Sequence, residues 1–282
     1  MVRVHHLNCC TMCPRGGRLM GERGTMVSHC LLVETDDDGL VLVDTGLGTA
    51  DLADPGRLGG FFRTVFRPQL RPTETAVRQV VELGFAAEDV RHIVVTHLDV
   101  DHAGGLADFP DATVHVHADE HAAAVARRTQ NERGRYRTAQ WAHAPNWKTY
   151  RADGEAWFGF EATRTLPGLP DDIVAIPLPG HTRGHTAIAV RTADGWLLHA
   201  GDAYFNHGSV TGPDGQVPPL LRVFERGVAI HRRQVQANHD RLRALAHDHA
   251  DEVRMFCAHD PEELETFGSP RRPGLATADD ET

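Results

Sequence analysis

Short apolar runs rich in β-branched residues alternate along the chain with turn residues and helical patterns. The runs at 30–35 and 40–44 predict two strands, and the Asp-Asp-Asp-Gly segment at 36–39 predicts a hairpin turn between them. The run at 90–96, with its valine- and isoleucine-rich centre, predicts a buried strand. Further strands are predicted at 113–117, 173–178, 187–191, 196–200 and 253–257.

Helical patterns separate these strands. Residues 74–83 carry apolar side chains at helical spacing and end at Gly84, residues 118–128 are rich in alanine, and residues 238–249 form a third helical segment. The elements run strands, helix, strand, helix, an inserted segment, then strands, helix and strand. This order predicts an α/β sandwich with two sheets inside and helices outside.

The periodicity fades between about residues 129 and 170, where aromatic residues gather. Three of the four tryptophans lie in this segment. We interpret it as a lid or cap inserted into a single domain that spans residues 1–267. Residues 268–282 are polar, and we expect them to form a disordered tail.

Composition narrows the class of protein. Hydrophobic residues make up 41% of the 282 residues and charged residues 24%, as in ordinary globular proteins. A net charge of −10 argues against nucleic acid as a partner. Because the chain has no run of about 18 apolar residues and no apolar stretch at its N-terminus, we expect neither a membrane span nor a signal peptide. The expected location is the cytoplasm.

The cysteines at positions 9, 10, 13, 30 and 257 are odd in number, which favours reduced thiols over a disulfide framework. Cys10 and Cys13 have the spacing of a zinc knuckle, but no second Cys or His pair follows at the usual interval. We expect an N-terminal loop in which the cysteines pack as small hydrophobic residues. A structural metal at Cys9, Cys10 and Cys13 is the alternative.

The chain has 19 histidines, and their placement suggests chemistry. His97, Asp99, Asp101 and His102 fall within six residues, directly after the predicted buried strand at 90–96. Alternation places residues 97, 99 and 101 on one side, where they could hold two metals close together. Imidazole and carboxylate ligands suit zinc, iron or manganese. A solvated acidic loop is the alternative, although unpaired charges at the end of a buried strand would be costly.

Three later strands also run into candidate ligands. His181 and His185 follow the strand at 173–178, Asp202 follows the strand at 196–200, and His259 follows the strand near the C-terminus. Each of these sites is a weak signal when taken alone. The order in which all of them occur along the chain is a specific signal.

This order resembles the metallo-β-lactamase superfamily over about residues 25–265. The matching motifs are Val-Asp-Thr-Gly at 43–46, the segment 97–102, Gly-His-Thr-x-Gly-His around His181, Gly201-Asp202, and His259. The chain is most similar to the acyl-homoserine-lactone lactonase branch, because the stretches at 31–46 and 80–105 and the position of the aromatic segment match. The resemblance implies a four-layer αββα sandwich with an aromatic-rich insertion.

The resemblance also implies two divalent metal ions, with zinc expected first and iron or manganese as alternatives. The implied ligands are His97, Asp99 and His181 for one ion, Asp101, His102 and His259 for the other, and Asp202 as a bridge. Asp44 and His185 correspond to residues that support the ligands by hydrogen bonding.

The chain departs from the family pattern at two positions. The family usually has histidine at the position of Asp99. The lactonases have a tyrosine three residues after the bridging aspartate, where this chain has Phe205, and Tyr204 lies one residue early. Tyr204 is therefore a candidate to contact the substrate's carbonyl oxygen, and a packed tyrosine under the sheet is the alternative.

The expected reaction is hydrolysis of a lactone, ester or thioester by a metal-bridging hydroxide, with Asp101 taking up and returning the proton. Three carboxylates should make the site a weaker Lewis acid that favours harder metals. We expect an apolar pocket wall from aromatic residues of the inserted segment. These residues are Trp141, Trp147, Tyr150 and Trp157. A small core of the insertion, or a contact in a homodimer, is the alternative for them.

Other functions compete with this interpretation. The same scaffold with two irons handles dioxygen, although no flavin or haem motif accompanies it here. A non-catalytic sensor would be expected to have lost some of the seven ligands. Phosphodiesterase or nuclease action is a further hydrolytic alternative, which the acidic chain disfavours.

Overall fold

The computed structural model describes residues 2–21, 23–36, 39–151, 154–160, 164–211 and 216–268. The tail predicted at 268–282 lies, apart from Gly268, outside the described residues, and so do the two central residues of the turn predicted at 36–39.

The first sheet has six strands in sequential order, antiparallel over the first three and parallel over the rest. They are β1 (Arg3–Met12), β2 (Met26–Glu34), β3 (Leu40–Val43), β4 (Val90–Val94), β5 (Thr113–His117) and β6 (Asn146–Tyr150). Strand β1 replaces the loop that the sequence predicted, and the polar residues His5, His6 and Asn8 obscured its alternation. Cys9 and Cys10 nevertheless pack as small hydrophobic residues, and all five cysteines are free thiols.

The second sheet has five strands in the order β11-β10-β9-β8-β7, with only the β10–β11 pair parallel. They are β7 (Arg164–Thr165), β8 (Ile173–Pro177), β9 (Thr186–Thr192), β10 (Gly195–His199) and β11 (Val253–Phe256).

The two sheets pack face to face. Alternate residues of β2 and β3, such as Leu31 and Val41, meet Ile173, Ile188 and Phe256 of the second sheet in one buried cluster. Since successive side chains of a strand point to opposite faces, the remaining apolar side chains of each sheet point outward and must be buried against other elements.

Helices provide that cover. Ala76 and Val80 of one helix and Ala123 of another bury the outer face of the first sheet, and Leu242 and Leu245 bury that of the second. The αββα sandwich is confirmed. The helices are α1 (Thr49–Ala53), α2 (Gly60–Val65), α3 (Ala76–Glu82), α4 (Val100–Ala103), α5 (Ala118–Ala126), α6 (Gln130–Arg135), α7 (Pro219–Val228), α8 (Arg232–Asp248) and α9 (Pro261–Gly268).

The aromatic segment at 129–170 is built into the sandwich. Strand β6 pairs with β5 as an edge strand of the first sheet, and β7 pairs with β8 at the edge of the second. The segment therefore supplies one strand to each sheet. Among its described residues, those around α6 face the site described below. Within the described part of the chain, no helix is long and apolar enough to cross a membrane.

Candidate metal centre

Four loops, each of which follows a strand, meet at one end of the sandwich. The loop after β4 carries His97 and Asp99, and the short helix α4, which begins directly after Asp99, carries Asp101 and His102. The loop after β8 carries His181, and the ends of β10 and β11 lead into the loops with Asp202 and His259. We call the segments 97–102, 181–185, 201–202 and 257–259 the ligand loops.

The first group of ligand atoms belongs to His97, Asp99, His181 and Asp202, and these atoms all lie within 4.8 Å of one another. His181 Nε2 is 3.1 Å from Asp99 Oδ2 and 3.3 Å from Asp202 Oδ2. His97 Nε2 is 3.7 Å from the same Asp202 oxygen.

The second group belongs to Asp101, His102 and His259 and is equally compact. Asp202 Oδ1 lies 3.2 Å from His102 Nε2 and 3.0 Å from His259 Nε2. One Asp202 oxygen therefore faces the second group while the other faces the first. This is the arrangement that a bridging carboxylate requires.

Polar atoms without partners show that this cluster fits metal ions. His97 Nε2, His102 Nε2, Asp99 Oδ1 and Asp202 Oδ1 are buried and accept or donate no hydrogen bond in the structure. Buried polar atoms are normally satisfied, and four at one point would be costly unless they coordinate a cation. The mix of imidazole nitrogen and carboxylate oxygen suits zinc, iron or manganese.

Asp44 and Thr96 orient two of the histidines. Asp44 accepts hydrogen bonds from the Thr96 backbone N–H at 2.7 Å, the Thr96 hydroxyl at 2.8 Å and His102 Nδ1 at 2.8 Å. The Thr96 oxygen in turn lies 3.0 Å from His97 Nδ1. Both rings are thereby held with Nδ1 protonated and the Nε2 lone pair turned toward the centre. Burial raises the pKa of Asp44, but His102 together with His199 and His97 outweighs this effect and keeps that pKa below its usual value.

Other supports hold the remaining loops. His259 Nδ1 donates to the Val27 carbonyl at 2.7 Å, which again leaves Nε2 facing the centre. His185 Nε2 accepts from the Asp202 backbone N–H at 2.9 Å. His185 therefore steadies the backbone of the bridging aspartate.

Glu120 is a support that the sequence did not reveal. This buried carboxylate of α5 accepts from the backbone N–H groups of Leu98 at 3.0 Å and Gly184 at 3.1 Å, so it ties two ligand loops together. It is the single buried carboxylate of an alanine-rich helix, which is a weak signal in sequence.

Comparison with known proteins agrees with this geometry. The family model described as the metallo-beta-lactamase superfamily matches residues 23–259 and so includes every candidate ligand. The chain belongs to the metallo-beta-lactamase superfamily. It is 46% identical to a probable metallo-hydrolase from Mycobacterium tuberculosis over 261 residues, which cover 93% of this chain and 81% of that protein.

The lactonases are more distant relatives. An N-acyl homoserine lactonase from Bacillus thuringiensis is 27% identical over 164 residues, 58% of each chain. The solved structure of a B. thuringiensis lactonase with N-decanoyl-L-homoserine at its active site superposes with a TM-score of 0.69 at 19% identity, over 93% of this chain and 95% of that one. At that identity, the superposition establishes the shared metallo-β-lactamase fold.

A cavity of about 470 Å³ opens on the ligand loops. Asp99, Asp101, His181, Asp202 and His259 form its floor. Its apolar side, which we call the phenylalanine wall, consists of Phe61, Phe62, Phe66, Phe205 and Phe224.

The four aromatic residues predicted for this wall lie elsewhere. Trp157 is buried in the core outside the second sheet, and Tyr150 is buried between the sheets. Trp141 and Trp147 pack against the core outside the first sheet. None of the four lines the cavity. Trp147 and Tyr150 belong to the sheet strand β6, and all four side chains are used in packing the sandwich.

Tyr204 also faces away from the cavity. Its side chain is fully buried, and its hydroxyl donates to Glu263 Oε1 at 3.0 Å. Phe205 instead lines the cavity and stacks on His259 with ring centroids 5.1 Å apart. The structure therefore does not bring the Tyr204 hydroxyl to a substrate, and it supports the alternative of a packed tyrosine.

Arg135 was missed by the sequence reasoning. Its guanidinium lies on the cavity wall, with Nη1 2.8 Å from Asp99 Oδ2 and 2.8 Å from His181 Nε2. Burial raises the pKa of Asp99, but Arg135 and the neighbouring histidines outweigh it and hold that pKa well below its usual value. The only hint in sequence was the extra carboxylate at position 99, which calls for a cation.

Proposed function

We propose that this chain is a dinuclear metallohydrolase that cleaves an ester-like carbonyl compound with an apolar portion: a lactone, an ester or a thioester. The observation that supports this best is the phenylalanine wall opening directly onto a complete two-group ligand set. The relatedness to a mycobacterial probable metallo-hydrolase supports hydrolysis as the reaction class.

The seven side chains of the two groups would hold the metals, with Asp202 as the bridge. We propose zinc as the first choice, because hydrogen bonds at Nδ1 turn the Nε2 atoms of His97, His102 and His259 toward the centre. Iron and manganese are the alternatives. When bound, two divalent ions activate water for attack and polarise a carbonyl oxygen. The protein's own task is to bind and orient the substrate and to move a proton.

Asp101 is the residue we propose for the proton. It is buried and lies on the cavity floor, with Oδ2 3.7 Å from His259 Nε2. Burial raises the pKa of Asp101 above its usual value, although His102 and His259 oppose the shift. A carboxylate on the cavity floor beside the ligand groups is placed to accept a proton from the attacking group and return it to the leaving group.

The phenylalanine wall supports an acyl or other apolar chain as part of the substrate. Each buried methylene gains roughly 0.8 kcal/mol, so a medium chain could gain a few kcal/mol on such a wall. The related B. thuringiensis protein binds N-decanoyl-L-homoserine, which carries such an acyl chain, at its active site. Because Phe205 brings no hydroxyl to the cavity, we propose esters and thioesters alongside homoserine lactones.

Activity on a small substrate panel tests the proposal. We would measure kcat/KM of metal-loaded protein on acyl lactones, esters and thioesters with chains of increasing length. The expected result is turnover of at least one class, with kcat/KM rising as the chain lengthens. No hydrolysis of any of them, by protein that carries two metals, would contradict the proposal.

Phosphodiester hydrolysis is a second candidate, favoured by one observation. Arg135 and Arg137 both line the cavity, and guanidinium groups are well suited to phosphate. A phosphodiester with an aromatic leaving group therefore belongs in the panel. A kcat/KM on it that exceeds every carbonyl substrate would reverse the order of the two candidates.

A further inference from the structure

We propose that Arg135 is the counter-charge of Asp99, so that the two side chains act as one unit that sets the charge and metal affinity of the first ligand group. The inference rests on the two-metal centre of the proposed function. It assigns a positioning role to an arginine outside the ligand loops, which acts through Asp99 and His181.

The contacts of Arg135 fix its guanidinium from three sides. Nη1 lies 2.8 Å from Asp99 Oδ2 and 2.8 Å from His181 Nε2. Nη2 donates to the carbonyl of Val228, the last residue of α7. The side chain is only 8% exposed, so the guanidinium is held where it is and is poorly screened by water.

The charges explain why such a cation is useful here. The carboxylates of Asp99, Asp101 and Asp202 carry a formal charge of −3, and the guanidinium, which stays protonated at all relevant pH values, brings it to −2. A neutral ligand at position 99 without an arginine would give the same −2. The Asp99–Arg135 pair is thus electrically equivalent to one uncharged ligand.

The other arginine on the cavity wall does not share this arrangement. Arg137 Nε donates to the Arg57 carbonyl at 3.3 Å, and its guanidinium packs against Gly59. Among the described residues, no hydrogen bond links Arg137 to a candidate ligand. Arg137 therefore provides a control from the same wall.

The two single substitutions should change the net charge of the first ligand group in opposite directions. Asp99→His leaves the guanidinium beside a divalent cation without its carboxylate, so repulsion should weaken metal binding. Arg135→Met leaves Asp99 with its full charge and should tighten binding. Making both changes together restores the net charge of the first group, so the two opposite effects on zinc affinity should largely cancel.

A double-mutant cycle measured by zinc binding tests this. We would titrate zinc, by competition with a chelator, into the full-length wild type, Asp99→His, Arg135→Met and the double variant. We expect the weaker of the two zinc ions to bind about tenfold or more weakly to Asp99→His, and the double variant to return to within about threefold of wild type. Arg137→Met should bind zinc as the wild type does.

Two further measurements keep the test decisive. Arg135→Gln retains a hydrogen-bonding group without the charge, so it should also rescue Asp99→His if Arg135→Met fails to fold. Thermal unfolding of the metal-free proteins separates a loss of fold from a loss of affinity. A double variant that binds zinc no better than Asp99→His, or an Arg135→Met variant that binds zinc no more tightly than the wild type, would overturn the inference. A wild type that binds only one zinc would contradict the two-metal centre itself and the inference with it.

Discussion

The ligand loops and the phenylalanine wall adjoin the same cavity but are held in different ways. Each ligand loop follows a strand and is fixed by hydrogen bonds to buried side chains, such as those of Asp44, Glu120 and His185. The wall is assembled from α2, α7 and the loop after β10 by ring contacts, such as that of Phe66 with Phe224 at 5.2 Å. Phe61 at its rim is 67% exposed.

From this difference we expect that the proposed chemistry and the choice of substrate can be changed separately in the molecule. Fixed ligand geometry is what metal-assisted hydrolysis needs, since small displacements of a ligand are costly. Ring contacts among short helices can be changed with a smaller effect on the framework. The following predictions test that separation, from the largest expected effect to the smallest.

Replacing the bridge should have the largest effect. Asp202→Asn removes a charge and one metal contact, so turnover should fall by about three orders of magnitude or more with the fold intact. Activity on the best substrate and far-UV circular dichroism would be measured together. Asp251→Asn, which changes an exposed aspartate, is the matched control and should be unaffected. Near-normal turnover of Asp202→Asn would remove this residue from the site.

The sheet that carries the first ligand loop should be sensitive to acid. His115 on β5 is buried 3.0 Å from His92, and burial, then the charges of His92 and Lys148, lower its pKa to about 3. Because this folded pKa lies below the ordinary value of 6.5, the stabilisation is complete above pH 6.5 and is lost as pH falls toward 3. By pH 4 the loss should be on the order of 3 kcal/mol.

Urea unfolding of metal-free protein between pH 7 and pH 4 measures this. His115→Gln cannot be protonated in the unfolded chain, so its free energy of unfolding should fall less steeply with pH than that of the wild type. Equal slopes for the two proteins would show that His115 does not contribute.

Loosening a ligand should have a moderate effect. Asp44→Asn keeps a side chain that tolerates the left-handed backbone at this position, where φ is +58°. It weakens the acceptor for Thr96 and His102, so metal affinity should fall about 10- to 100-fold. Metal titration against the wild type checks this, and unchanged affinity would mean that Asp44 does not orient the histidines.

A change in the wall should have the smallest effect and should alter selectivity. Phe61→Ala removes an exposed ring, so stability should be nearly unchanged while kcat/KM for a long-chain substrate falls up to about tenfold. Short-chain substrates should be hydrolysed as before. Trp147→Ala, which removes an aromatic ring packed outside the first sheet, should leave the chain-length dependence unchanged. The reverse pattern would restore the substrate wall to the segment at 129–170.

These two regions also differ in how far sequence could predict them. Residues such as His97 and His259 come directly after apolar strands, so the sheet dictates where they lie, and the four-layer fold follows from the same strands. Phe61, Phe205 and Phe224 come from segments that are remote in sequence and share no period. Their meeting depends on tertiary packing, which local patterns do not encode.

The segment at 129–170 also shows what the sequence could not predict. Its aromatic content correctly indicates burial, but hydrophobic burial is non-directional and does not tell a cavity wall from a core. Trp157 is buried in the hydrophobic cluster outside the second sheet, and Tyr150 is buried in the cluster between the sheets. Arg135, from the same segment, lies at the candidate metal centre, where it forms an ion pair with Asp99 that no sequence motif indicates.

We propose that seven side chains form one centre for two metal ions. The most direct test is metal stoichiometry, by elemental analysis of well-folded protein saturated with zinc, iron or manganese and freed of excess metal. The account predicts two equivalents per chain for the wild type and no more than one for Asp202→Asn. One equivalent or none in the wild type, or two in both proteins, would contradict it.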